Sequence, residues 1–167
     1  MFNKIKEFFR VIGELRYLIP VTRYKFPKPD DQASLAHTFQ ETTVKFADRP
    51  FMYFEDETWT YSQANKAANS FARYLAGKGI KHGDRVVMLM ENRPYFAISL
   101  IALNKLGAIG VLINTSLTGD PLIHCINSSD STKCIVGAER AKPLEDVLNQ
   151  INISNQENFL WVEDTPE

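Results

Sequence analysis

The sequence predicts an α/β domain, an open and mainly parallel sheet with helices on both faces plus a small β-hairpin. Two short apolar runs, Val86 to Met90 and Ile109 to Ile113, lack polar alternation and bracket an apolar helical segment, so they read as strands buried on both faces in a strand, helix, strand unit. Strand centres near residues 88, 111, 135 and 160 recur at a spacing of about 24 residues, the rhythm of alternating strand and helix. With 44% apolar and 23% charged residues in 167, the chain can bury the core of one sizeable domain and is not a disordered polymer.

The N-terminus stands apart. Residues 1–28 carry seven Lys or Arg against Glu7 and Glu14, a net +5, which leaves −6 on the rest of a chain whose total is −1. Ile5, Phe8, Phe9, Ile12 and Leu15 recur at three- and four-residue spacings and predict one apolar face on a helix from about Phe2 to Leu18. Two placements suit it. It could lie on an anionic membrane surface, with Phe8, Phe9 and Ile12 inserted and Lys4, Lys6 and Arg10 flanking them, or dock on its own domain. Pro20, Pro27 and Pro29 make 20–31 a connector, so we expect residues 1–31 as helix plus connector and 32–167 as the folded domain.

Ser34 then opens a helix through about Phe46. Phe51 to Phe54 and Thr58 to Thr60 form the hairpin around Glu55-Asp56-Glu57, three carboxylates that read as a solvated turn because no other ligand type is nearby. Thr60 and Gln63 form a capping box for a helix with Ala64, Ala67, Ala68, Phe71 and Leu75 on one face, ending near Gly77. Gly77-Lys78-Gly79 lacks the spacing of a phosphate loop and reads as a helix C-cap. Pro94 and Gly107 bound a helix from Tyr95 to Leu106, apolar on most sides, whose outer face should be covered by a second layer or by further chain. Tyr95 to Ile113 has the length of a membrane span, but Asn104, Lys105 and Gly107 interrupt it. Beyond it we expect a helix from Leu122 to Ser128, a strand at Cys134 to Val136, a helix from Pro143 to Gln150 and a strand at Phe159 to Val162.

An open parallel sheet presents ligands at the carboxyl ends of its strands. The candidate site residues are therefore Glu91, Asn92 and Arg93 after one strand and Asn114, Thr115 and Ser116 after the next. His37, His82 and His124 have no carboxylate or nucleophile partner apparent in sequence, so no catalytic residue is assigned. Cys125 and Cys134 fit no zinc pattern with His124 and read as buried, reduced thiols; no metal site and no nucleic-acid partner are expected. The N-terminus lacks a continuous apolar signal segment, which predicts a cytoplasmic location, peripheral to the inner face of a membrane if the first helix binds lipid.

Trp59-Thr60-Tyr61-Ser62, Gly83-Asp84-Arg85-Val86, Glu91-Asn92-Arg93-Pro94, Leu106-Gly107-Ala108 and Leu112-Ile113-Asn114-Thr115, in that order and spacing, resemble the N-terminal part of the adenylate-forming (AMP-binding) superfamily. Thr118 to Cys125 resembles its very long-chain acyl-CoA synthetase, or fatty acid transport protein, branch. The resemblance covers residues 34 to 162, and departs at Gln63-Ala64, where many members have Glu-Leu. It implies a two-step ligase in which a fatty acid and ATP with Mg²⁺ give an acyl-adenylate and pyrophosphate, and CoA then displaces AMP. The family's phosphate loop, nucleotide sites and lysine-bearing C-terminal domain have no counterpart in this sequence. The resemblance thus implies a part that is inactive by itself, whose partners are the fatty acid and the rest of the synthetase, and which supplies scaffold and channel wall. The alternative is a non-catalytic lipid-binding or protein-interaction module derived from that fold.

Overall fold

A computed structural model describes residues 34–163. The expected N-terminal helix and connector, with Lys4, Lys6, Phe8, Phe9, Arg10 and Ile12, lie outside them.

Helix α1 (Leu35–Phe46) starts where Ser34 accepts the His37 N–H at 3.1 Å, satisfying one donor that the first turn leaves open. Strands β1 (Pro50–Phe54) and β2 (Glu57–Thr60) pair antiparallel, with Glu55 at positive φ in the turn between them. Helix α2 (Tyr61–Gly77) carries the capping box in full: Gln63 N–H to Thr60 Oγ1 at 3.2 Å, and Thr60 N–H to Gln63 Oε1 at 2.8 Å. It ends at Gly77, and Gly79 turns the chain at φ +84°, in the region that favours glycine.

The main sheet contains β3 (Arg85–Leu89), β4 (Ile109–Leu112), β5 (Lys133–Gly137) and β6 (Phe159–Val162), all parallel, in the order β4-β3-β5-β6. Between them run α3 (Pro94–Lys105), with Pro94 in its first turn, α4 (Gly119–Asn127) and α5 (Ala141–Glu145). The two-residue period of β3 sorts its side chains. Val86, Met88 and Met90 pack with Ala72 and Leu75 of α2 and Ala102 and Leu103 of α3. Val87 and Leu89 pack with Leu122 and Ile126 of α4 and Leu144 of α5. Helices therefore cover both faces, as the apolar runs require.

The outer face of α3 is covered by the chain's own second layer. Ile98 and Ile101 are buried against Phe39 of α1 and Ala64 and Ala68 of α2, with Phe51, Met52 and Trp59 of the hairpin packed around them. The alanines on α2 permit this close helix contact, and the α1 end of the layer is pinned by the Ala36 N–H to Asn104 Oδ1 bond at 3.0 Å.

Three expectations need correction. The run at Ile109 is an edge strand, with Ile109 and Leu112 exposed, rather than one buried on both faces. The segment from Pro143 to Gln150 is not one helix: α5 ends at Glu145 and a separate 3₁₀ turn spans Leu148–Gln150. Asn127 supplies the reason, because its side chain donates to Gln150 O at 3.1 Å and accepts the Asn152 N–H at 2.7 Å, drawing the chain out of helical register. Of the two thiols only Cys134 is fully buried, Cys125 being half-buried; both are free.

Candidate functional site

Parallel strands end together, so the loops after β3, β4 and β5 share the carboxyl edge of the sheet. Between β3 and β4 lies an open depression of about 370 Å³, lined by Met90, Glu91, Asn92, Phe96, Leu112, Ile113, Asn114 and Thr115. Its β4 wall is shaped locally. The Ile113 N–H continues the ladder to Met88 O at 3.1 Å, and Asn114 Oδ1 then accepts the Ser116 N–H at 2.9 Å, which folds residues 114–116 into a side-chain-stabilised turn. Asn92, Asn114 and Thr115 are thus brought to one place with Glu91, while Ser116 is spent on the turn and does not line the depression.

Arg93 turns away from this depression, toward the loop after β5. Its Nη1 lies 3.3 Å from Glu139 Oε2, and Glu139 Oε1 accepts the Glu91 N–H at 2.8 Å. Glu139 sits on a 3₁₀ turn, Ala138–Arg140, directly after β5. A Cβ on Gly137 would run into this carboxylate, so the absence of a side chain there lets it approach the backbone. Sequence reasoning missed Glu139. The rule that marked Glu91 to Arg93 and Asn114 to Ser116 applies equally to the residues after the third strand and would have found it.

The chemistry available at the depression is binding. Its lining offers amides, a hydroxyl, one carboxylate and apolar walls, with no cation or glycine-rich loop to meet phosphates and no nucleophile beside a base. The ATP, Mg²⁺ and CoA of the resembled family therefore do not fit these residues, and among the described residues no group of three or more His, Cys, Asp or Glu could hold a metal ion. The histidines are dispersed: His37 lies beside Glu41 on the exposed face of α1, the His82 ring lies against Gly107, and His124 is on α4. Burial pushes the Cys134 thiol well above its usual range, which keeps it protonated and unreactive. No helix among the described residues is long and apolar enough to cross a membrane.

Residues 39–165 match the family described as AMP-binding enzyme. The medium/long-chain-fatty-acid–CoA ligase FadD6 of Mycobacterium tuberculosis is 32% identical over 132 residues, covering 72% of this chain and 22% of its own length. Mouse long-chain fatty acid transport protein 6 is 30% identical over 143 residues, covering 85% of this chain and 23% of its own. Among solved structures, the N-terminal domain of FACL13 from Mycobacterium tuberculosis superposes with a TM-score of 0.68 at 28% identity, over 78% of this chain and 33% of that one. The anthranilate CoA ligase AuaEII, in complex with anthranoyl-AMP, shares the fold, with a TM-score of 0.71 at 22% identity over 78% of this chain and 25% of that one. The chain thus spans less than a quarter of the length of these two curated relatives. The family match over residues 39–165, joined to the superposition on the N-terminal domain of FACL13, establishes that this chain belongs to the AMP-binding enzyme family.

Proposed function

We propose that this chain serves as the N-terminal part of an ATP-dependent fatty acyl-CoA ligase, in which fatty acid, ATP and CoA give acyl-CoA, AMP and pyrophosphate, and that it does not carry out this reaction alone. The observation behind the proposal is the family match across residues 39–165 by a chain that spans only 22% of FadD6. The site chemistry agrees: adenylation needs preorganised positive charge around a reacting phosphate, and the depression beside Asn92, Asn114 and Thr115 offers only the carboxylate of Glu91. In this role those three residues form part of a substrate-channel wall. ATP, Mg²⁺ and CoA would be bound by the rest of the ligase. The test is acyl-CoA formation from medium- to very long-chain fatty acids, assayed on the 167-residue chain and on the chain extended by the following residues of its gene. Product from the extended protein alone is expected; product from this chain by itself overturns the proposal, and product from neither with any fatty acid favours a non-catalytic module.

We also propose peripheral membrane contact by residues 1–18, because the sequence spacing predicts a helix on which Phe8, Phe9 and Ile12 would share a face flanked by Lys4, Lys6 and Arg10. At about 1 kcal/mol per basic residue near an anionic surface, deleting residues 1–18 should abolish co-sedimentation with phosphatidylserine vesicles. Unchanged co-sedimentation would rule the contact out.

A further inference from the structure

In the order β4-β3-β5-β6 the chain leaves β3 in one direction, through α3, and leaves β5 in the other, through α5, and these two helices lie on opposite faces of the sheet. The winding therefore reverses between β3 and β5. In open α/β sheets the place outside the carboxyl ends of two such strands is where ligands bind. Here it holds a carboxylate of the chain itself. Glu139 takes the Glu91 N–H through Oε1, presents Oε2 to the Arg93 guanidinium, and rests over Gly137, where a Cβ would displace it. A backbone donor, a guanidinium and a glycine that allows close approach are the parts from which oxyanion sites are built. Both side chains are largely shielded, Arg93 being 23% and Glu139 19% exposed, which separates this arrangement from an ordinary surface ion pair.

We propose that the place between the carboxyl ends of β3 and β5 is an oxyanion subsite occupied by Glu139 as a built-in ligand, and that it takes a small free carboxylate once that side chain is removed. In the intact chain the tethered carboxylate outcompetes free anions because its effective concentration is high. Its occupancy holds Glu91 to Arg93 in place, and the neighbouring β3/β4 depression shares Glu91 as a wall. The subsite does not depend on the ligase reaction proposed above.

The experiment compares thermal unfolding of the 167-residue chain with that of its Glu139→Ala and Glu139→Gln variants, in sodium acetate and in sodium chloride at equal ionic strength. Glu139→Ala is expected to unfold at a lower temperature. Acetate, and not chloride, should raise its midpoint saturably by about 3 °C, while the unaltered chain shows no difference between the two salts. Equal responses of Glu139→Ala to acetate and chloride overturn the proposal. If that variant does not fold, Glu139→Gln decides: its amide oxygen keeps the Glu91 bond but gives up the charge, so its midpoint should fall below that of the unaltered chain at low salt. Equal midpoints overturn the proposal as well.

Discussion

β3 and β4 are neighbours in the sheet, paired in register from Arg85 with Ile109 to Met88 with Leu112, and apart from Arg85 both are apolar in sequence. Their surroundings differ. Val86 to Leu89 are completely buried between α2 and α3 on one face and α4 and α5 on the other, whereas Ile109 and Leu112 at the sheet edge are 50% and 52% exposed. An apolar run records that a strand belongs in a sheet interior; it does not record which side of the pairing is filled within the same chain. β4 has the composition of an interior strand and the position of an edge, a combination that exposed edges usually avoid.

Stability should divide along this line. Met88→Ala removes a fully buried side chain from a packed cluster and is expected to cost about 2–5 kcal/mol in denaturant unfolding. A cost close to that of an edge substitution would break the contrast between the two strands. Gly137→Ala comes next. Its backbone, at φ −70° and ψ 139°, suits any residue, so the effect comes from moving the flexible Glu139 carboxylate off the Glu91 N–H, about 1 kcal/mol for one hydrogen bond. Faster hydrogen exchange at the Glu91 amide is the specific readout, and an unchanged rate would show that Glu139 accommodates the methyl without leaving. Leu112→Ala should cost least, about 0.5 kcal/mol, since half of that side chain already meets water.

A chemical probe sharpens the same contrast between sealed and open positions without altering stability. Cys134, on β5 and completely buried, is held protonated by desolvation and should resist alkylation at pH 8 until the chain unfolds. Cys125, half-buried on α4, should react in the native state. Equal native-state rates would mean that the sheet interior opens readily.

Much of this architecture was legible in the residues. The capping box at Thr60 and Gln63, the proline that opens α3 and the glycines at 77–79 are local signals whose physics acts within one turn, and each element begins or ends where they stand. Non-local facts were less legible. The break in Pro143 to Gln150 depends on Asn127, more than fifteen positions earlier, and the edge position of β4 depends on what pairs beside it. At the candidate site, the carboxyl-end rule located Asn92, Asn114 and Thr115, which do meet at one depression. It could not separate Arg93 from them, because the partner that turns Arg93 toward β5 is an acid 46 residues away in the chain.

The central claim, that this chain is the N-terminal part of a fatty acyl-CoA ligase and lacks the groups for adenylation, is tested most directly by the first half-reaction. Fatty-acid-dependent exchange of labelled pyrophosphate into ATP reports acyl-adenylate formation without requiring CoA. The account predicts exchange by the protein extended beyond Glu167 and none by the purified 167-residue chain at equal concentration. Exchange catalysed by the 167-residue chain would contradict it.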